Sequence, residues 1–219
     1  MLKILGLVSV LALTFCNTAT AGKALSWNLS RAMMTGITVN PKGAWAFMQN
    51  TSGIDKPVNY TLLPTYSSSC VGRGPLNCWI NTTITQPPII GVATKTFTSP
   101  GVTHSRGIPL LHPGENIPVI LRWKSPINGK VSVMGRVSAI DPNCCGDGVN
   151  WSLKNKNAAI IKSGYLVQGQ GSTFFAQNIG IKKGESLYFT IDKRKTAFSG
   201  SMLTQLAHHI PTLKTPALS

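Results

Sequence analysis

The densest gathering of polar chemistry in the chain is Asp141-Pro142-Asn143-Cys144-Cys145-Gly146-Asp147-Gly148. Asp141, Asn143 and Asp147 offer hard oxygen ligands of the kind calcium takes, and carbonyls of a glycine-rich turn can complete such a shell. The spacing is not that of a helix–loop–helix calcium loop, because a cysteine stands where a third oxygen ligand is needed. A tight hairpin turn uses the same Asp and Gly for backbone geometry alone. The stretch therefore predicts a turn first and a structural calcium site second. Its two carboxylates make a poor glycosidase pair, which must flank the scissile bond about 5–9 Å apart in separate environments. Glu115, Glu185 and Asp192 are isolated in sequence. Neither His104 beside Ser105 nor His112, His208 and His209 belongs to a nucleophile-elbow pattern. These residues predict no enzyme and no catalytic cofactor.

Lys3, the apolar run Ile4 to Phe15 and the small residues Ala19-Thr20-Ala21 predict a signal peptide over residues 1–21. The run is too short to span a bilayer permanently. Cys16 follows the bulky Phe15, against the small residue that lipid attachment prefers. No later run reaches spanning length, so the expectation is a secreted protein, extracellular or periplasmic. Four cysteines then remain: Cys70, Cys78, Cys144 and Cys145. An even number in an oxidising compartment predicts disulfides. Cys70 and Cys78 flank a short loop with Gly72, Gly74 and Pro75, and closing it is worth about 2.5 kcal/mol in the chain-entropy description. Cys144 and Cys145 either bridge each other or each pair with one cysteine of the earlier loop.

Only Lys3 of the 21 basic residues lies in the leader, leaving 20 basic against 6 acidic residues, a charge of +14. Such an excess favours long-range attraction to polyanions: lipopolysaccharide, teichoic acid, acidic polysaccharide or released nucleic acid. Arg122, Arg136 and Lys154, with Asn150, take outward positions on their strands and line one face if those strands are neighbours. Arginine's planar fork suits carboxylate, sulfate and phosphate. Trp123 and Trp151 fall on apolar strand faces and predict core, and Trp45, following the turn glycine, is expected to pack inward too. Trp79, beside Cys78 in a polar segment, is buried by no alternation. With Tyr66 and Tyr188 it makes the aromatic set for stacking on a sugar ring, against the alternative that it caps a disulfide.

The elements that must hold these side chains are strands. Val131, Val133, Val137 and Ala139 share one face, with Ser132, Met134, Arg136 and Ser138 on the other. Val149, Trp151 and Leu153 alternate with Asn150, Ser152 and Lys154, as Leu187, Phe189 and Ile191 do with Tyr188, Thr190 and Asp192. Period-two alternation marks strands with one buried and one wet face. Asn128-Gly129, Gly146-Asp147-Gly148, Gly169-Gln170-Gly171 and Lys183-Gly184 supply the turns. Residues 49–103 are irregular and must contain two or three short strands. Only Ser201–His209 suggests a short helix. One antiparallel β-sandwich over residues 22–210 follows, with a loose tail over 211–219.

The succession Asn40-Pro41-Lys42-Gly43-Ala44-Trp45, Leu111-His112-Pro113-Gly114, Leu121-Arg122-Trp123, Gly129-Lys130-Val131, Gly146-Asp147-Gly148-Val149 and Gly184-Glu185-Ser186-Leu187-Tyr188-Phe189 resembles a group of secreted bacterial jelly-roll domains. Those domains are similar to carbohydrate-binding modules and mostly uncharacterised. The likeness spans about Asn40 to Ile191 and rests on turn and strand markers. The chain departs from the group at Lys193-Arg194-Lys195, where an acidic, polar segment is usual. The resemblance implies a jelly-roll sandwich that binds a glycan. With the charge, the expected ligand is an acidic glycan or another envelope polyanion. The competing expectation is an envelope or matrix protein engaged in structural or protein contacts, without a sugar site.

Overall fold

A computed structural model describes residues 25–70, 74–99, 101–140, 147–193 and 204–213, the last stretch through its backbone. The leader, Asp141, Asn143, Cys144, Cys145, Arg194 and Lys195 lie outside these described residues, and with them most of the calcium site.

The alternating segments form strands Gly129–Ala139, Val149–Lys154 and Ser186–Lys193. Val131, Val133, Val137, Val149, Leu153, Leu187, Phe189 and Ile191 are all buried. Among the described residues the strands make two large antiparallel sheets. The first runs, in spatial order, Gly171–Ile181, Gly129–Ala139, Thr204–Leu213, Pro109–His112, Ile89–Ala93, Leu76–Ile80 and Thr65–Ser67, with Ser26–Asn28 also paired to Thr204–Leu213. The second runs Ile160–Leu166, Val149–Lys154, Ser186–Lys193, Val119–Lys124, Trp45–Gln49 and Thr61–Leu62. A separate hairpin joins Phe97–Ser99 to Val102–His104. The chain is an all-β sandwich of jelly-roll type.

The sheets meet through aromatic rings. Phe174 of the first sheet lies 5.1 Å from Trp151 and 5.5 Å from Phe189 of the second, centroid to centroid. Contacts at such separations add to the transfer of these large surfaces out of water. Trp123 and Trp151 belong to this core, as their alternation predicts, and so does Trp45 after its turn glycine. Two glycines make the close approaches possible. A Cβ on Gly148, at φ +116°, would overlap the Leu166 carbonyl oxygen, and one on Gly164 would stand 2.9 Å from Nε1 of Trp151. Where Val131 and Val133 pair with Ile179 and Ala176, the partner strand carries an extra residue, with Asn178 at φ 58°. This is a β-bulge, which sharpens the local twist.

Residues 204–209 are strand, not the short helix their sequence suggests. Thr204–Leu213 lies between Gly129–Ala139 and Pro109–His112 and continues past Pro211, which pairs with Ser26. Two waiting strand edges outweigh the weak helical preference of this segment. The opposite end of the first sheet has a second small core of Leu76, Ile80, Ile89, Ala93, Val102 and Leu110 around the Cys70–Cys78 disulfide. Among the described residues no helix is long and apolar enough to cross a membrane.

Candidate functional site

Outward residues of the second sheet line up by register. Arg122 sits opposite both Ala46 and Tyr188, and Tyr188 opposite Lys154, so the four form one row across the strands. A parallel row places Tyr165, Asn150 and Asp192 side by side, and between the rows Ser163, Ser152 and Thr190 align. Period-two geometry brings these side chains to one face. Arg122, Tyr188, Asn150 and Lys154 thus share one face. Arg136 is not among them: its strand belongs to the first sheet, and it faces outward there beside Thr173. Outward alternation alone cannot say which sheet a strand joins.

This face is not simply wet. Residues 50–60 fold back over it as a strap. Asn50 Nδ2 donates to the Ile54 carbonyl at 3.0 Å, and Asn50 Oδ1 accepts from the Ser52 hydroxyl at 2.8 Å, which shapes the turn. Asp55 then docks on the sheet. Its Oδ2 pairs with Lys154 Nζ, and its Oδ1 accepts the Tyr60 hydroxyl at 2.5 Å. Tyr60 meets Tyr188 edge-on at 5.2 Å and shields Ala46, Met48 and Ile120. Lys154, expected as a solvated contact, is only 5% exposed and serves as the anchor of the strap. Burial alone would raise the Asp55 carboxyl, but the hydrogen bonds from Lys154 and Tyr60 and the Lys154 charge outweigh it and hold it below its ordinary 3.8. Burial, then the Asp55 hydrogen bond and charge, push the Tyr60 phenol well above its ordinary value.

Beside the strap lies a groove of about 520 Å³. Asn50, Asn116, Asn150, Ser163, Thr190 and Asp192 supply its polar lining, with Tyr165 and Ile160 along one side. Tyr165 is 60% exposed. Asn150 Nδ2 is steadied by the Lys193 carbonyl at 3.2 Å, while Lys193 Nζ donates to Asn116 Oδ1 at 2.5 Å. The buried Thr190 Oγ1 has no hydrogen-bond partner among the described residues. Asp192 is raised above 3.8 by burial, against the Lys193 backbone N–H that bonds it at 2.8 Å and the nearby lysine charges. Asp192 is isolated in sequence but not in space: it shares the groove with Asp55. Such a groove offers amide donors, hydroxyls and one carboxylate acceptor around an aromatic ring.

The other two expected aromatic contacts lie elsewhere. Trp79 is 8% exposed, points into the main core and donates its indole N–H to the Ile37 carbonyl at 2.6 Å. Tyr66, its cross-strand partner, packs half-buried at 5.8 Å from it. Leu76, Cys78 and Ile80 on the same strand are buried against the small disulfide core on the opposite face. A strand covered on both sides shows no polar alternation, so the polar neighbours of Trp79 mislead. Trp79 is corrected to a core residue. The sequence signal for this groove was the set Asn150, Ser152, Thr190 and Asp192 at outward positions; Asp55, Tyr60 and Tyr165 carried no such mark.

No family model matches the chain, and no curated protein matches it in sequence. Solved structures similar to it include the K1 cleaved adhesin domain of Lys-gingipain from Porphyromonas gingivalis W83, at 10% identity, 89% of this chain, 100% of that chain and a TM-score of 0.35. TmCBM61, in complex with beta-1,4-galactotriose, is 12% identical over 62% of this chain and 87% of its own, with a TM-score of 0.37. CsCBM6-3 from Clostridium stercorarium, in complex with cellobiose, is 12% identical over 55% and 82%, with a TM-score of 0.31.

Proposed function

We propose that the protein is a secreted, non-catalytic glycan-binding β-sandwich whose sugar site is the groove on the outer face of the second sheet, and that its natural ligand is an acidic polysaccharide. The carrying observation is the exposed Tyr165 ring beside a concave row of amides and hydroxyls. Sugars present that pair of needs: a C–H face for an aromatic ring and hydroxyls that both donate and accept. The unpaired Thr190 Oγ1 gains a partner when a ligand hydroxyl enters. The strong positive charge supports the acidic preference.

The two carboxylates of the groove support binding over hydrolysis. Both oxygens of Asp55 are engaged, one by Lys154 and one by Tyr60, so it serves the strap and is not available as base or nucleophile. Among the described residues Asp192 then has no free partner acid in the groove, and glycoside hydrolysis needs two.

Tyr165→Ala should weaken glycan binding by about 1 kcal/mol, near fivefold, with the fold intact. Titration of a glycan array hit by calorimetry checks it, and unchanged binding by a folded variant sinks the assignment of this groove. The competing reading, a protein-contact role, is favoured by one feature. Met134 and Phe175 form an exposed apolar pair across adjacent strands of the first sheet. Met134→Ser with Phe175→Ser should leave glycan binding unchanged and abolish capture of envelope proteins if that reading is right.

A further inference from the structure

A second groove, of about 890 Å³, opens beside a short helix, Leu29–Met34. Its floor is apolar, Trp27, Ala32, Ala44 and Trp45, with the exposed Pro126 at its edge. Trp27 is half-buried and fixed edge-on against Trp123 at 5.2 Å. Around the rim stand Arg31, Lys42, Lys124 and Lys183, and no carboxylate lines it. None of the four side chains has an ion-pair or hydrogen-bond partner among the described residues. The nearest acid in sequence, Glu185, is already engaged: Oε1 takes Lys156 Nζ at 2.7 Å and Oε2 takes the Lys182 backbone N–H at 3.0 Å.

The cations are mounted on pinned backbone. Lys42 exchanges both backbone hydrogen bonds with Trp45, at 2.8 and 3.0 Å. Lys124 N donates to the Ala44 carbonyl at 2.8 Å, and Lys183 N to Asn128 Oδ1 at 2.9 Å. Gly184 N closes the ring by donating to the Ser125 carbonyl at 2.7 Å. Two turns, the end of the strand Val119–Lys124 and one helix thus hold four like charges around an apolar floor. Repulsion among them is unrelieved within the groove, and an entering anion relieves it.

We infer that this end groove is a dedicated site for the anionic groups of an acidic glycan, sulfate or carboxylate carried on a pyranose ring. The inference rests on the glycan-binding reading and places its acidic preference at a locus separate from the sheet-face groove. The rim supplies charge-assisted donors for the anion. The floor accepts the apolar face of the ring, which a bare phosphate or sulfate ion does not use. A chain of such sugars spans several rim cations at once and releases their counterions together.

The test uses a sulfated heparin oligosaccharide as probe at physiological salt. The triple variant Arg31→Gln, Lys42→Gln and Lys124→Gln is compared with a control triple, Lys56→Gln, Lys95→Gln and Lys130→Gln, which removes equal charge elsewhere. The groove triple should lose about tenfold or more in affinity and the control less than about threefold, since scattered exposed charges act only through a screened field. In the wild type the Trp27 indole N–H resonance should shift on titration. Equal losses in both triples, or a still Trp27 resonance at saturation, would overturn the inference. So would single-stranded DNA or anionic vesicles that bind more tightly than heparin and lose more affinity in the groove triple. Failure of the sheet-face reading is seen separately, because Tyr165→Ala with a neutral glycan leaves every rim cation in place.

Discussion

In the sheet-face groove the one lining lysine, Lys154, meets Asp55, and beside the groove Lys193 meets Asn116. In the end groove four cations face an apolar floor with no acid among the lining residues. With only 6 acidic residues in the chain, their placement decides local character. Two of them, Asp55 and Asp192, sit at the sheet-face groove, and Glu185 is engaged by Lys156 and the Lys182 backbone N–H and does not line the end groove. Net charge is therefore a poor guide to where an anion binds. The sheet-face groove is nearly balanced and suited to hydroxyls, whereas the end groove concentrates the excess.

The largest way to break this contrast is to remove the acid that holds the strap. Asp55→Ala leaves Lys154 buried without a partner, and unpaired buried charge is costly; because Asp55 itself is half-exposed, a loss of about 2–3 kcal/mol in urea unfolding is expected. Lys154→Met should cost less, about 1 kcal/mol, since Asp55 can turn to water while the methionine fills the space. If the two variants lose equal stability, the strap is not anchored as described. Heparin affinity should hold in Lys154→Met, because the end groove shares none of these residues.

Acid should separate the grooves next. Asp192 titrates above its ordinary 3.8 and Asp55 below it. As pH falls, Asp192 is the first to lose its charge, and the native state, which takes up that proton more readily than the unfolded chain, gains slightly. Asp55 behaves oppositely: its contribution is present above 3.8 and is lost as pH falls through its depressed folded value. Neutral-glycan affinity should therefore decline beginning above pH 3.8, before the strap loosens, while heparin binding, with no carboxylate lining its groove, stays flat over the same range. A parallel decline of both by calorimetry would merge the two sites.

The smallest effect sharpens the other side. Glu185→Gln frees Lys156 and removes a negative charge near the rim without touching the floor. Elution from heparin should move to modestly higher salt, with neutral-glycan binding unchanged. A shift toward lower salt contradicts the assignment of Glu185 as a bystander.

Most of the sandwich is legible in the order of residues alone. The alternation of Val149-Trp151-Leu153 and Leu187-Phe189-Ile191 determines which faces are buried, because a one-residue slip would expose an entire apolar row. The turn pairs Asn128-Gly129 and Lys183-Gly184, and the eight-residue separation of Cys70 and Cys78, are local constraints of the same kind. Local physics needs only neighbours in sequence, and there the reading holds. The outward polarity of Asn150 is likewise visible, so part of the sheet-face groove is within reach.

What sequence leaves open depends on contacts between distant segments. Arg136 parts from Arg122 and Lys154 because sheet membership is set by the order in which strands pair. Trp79 goes inward because both faces of its strand are covered, one by the main core and one by the disulfide core, which erases alternation. Asp55 reaches Lys154 across 99 residues, a meeting no spacing rule encodes. The four rim cations come from a helix, a strand end and two turns, united only in the tertiary structure. Composition determined that this protein carries a large positive excess; tertiary structure decided which of those charges are neutralised, because ion pairing depends on distance in space, and sequence alone does not specify that distance.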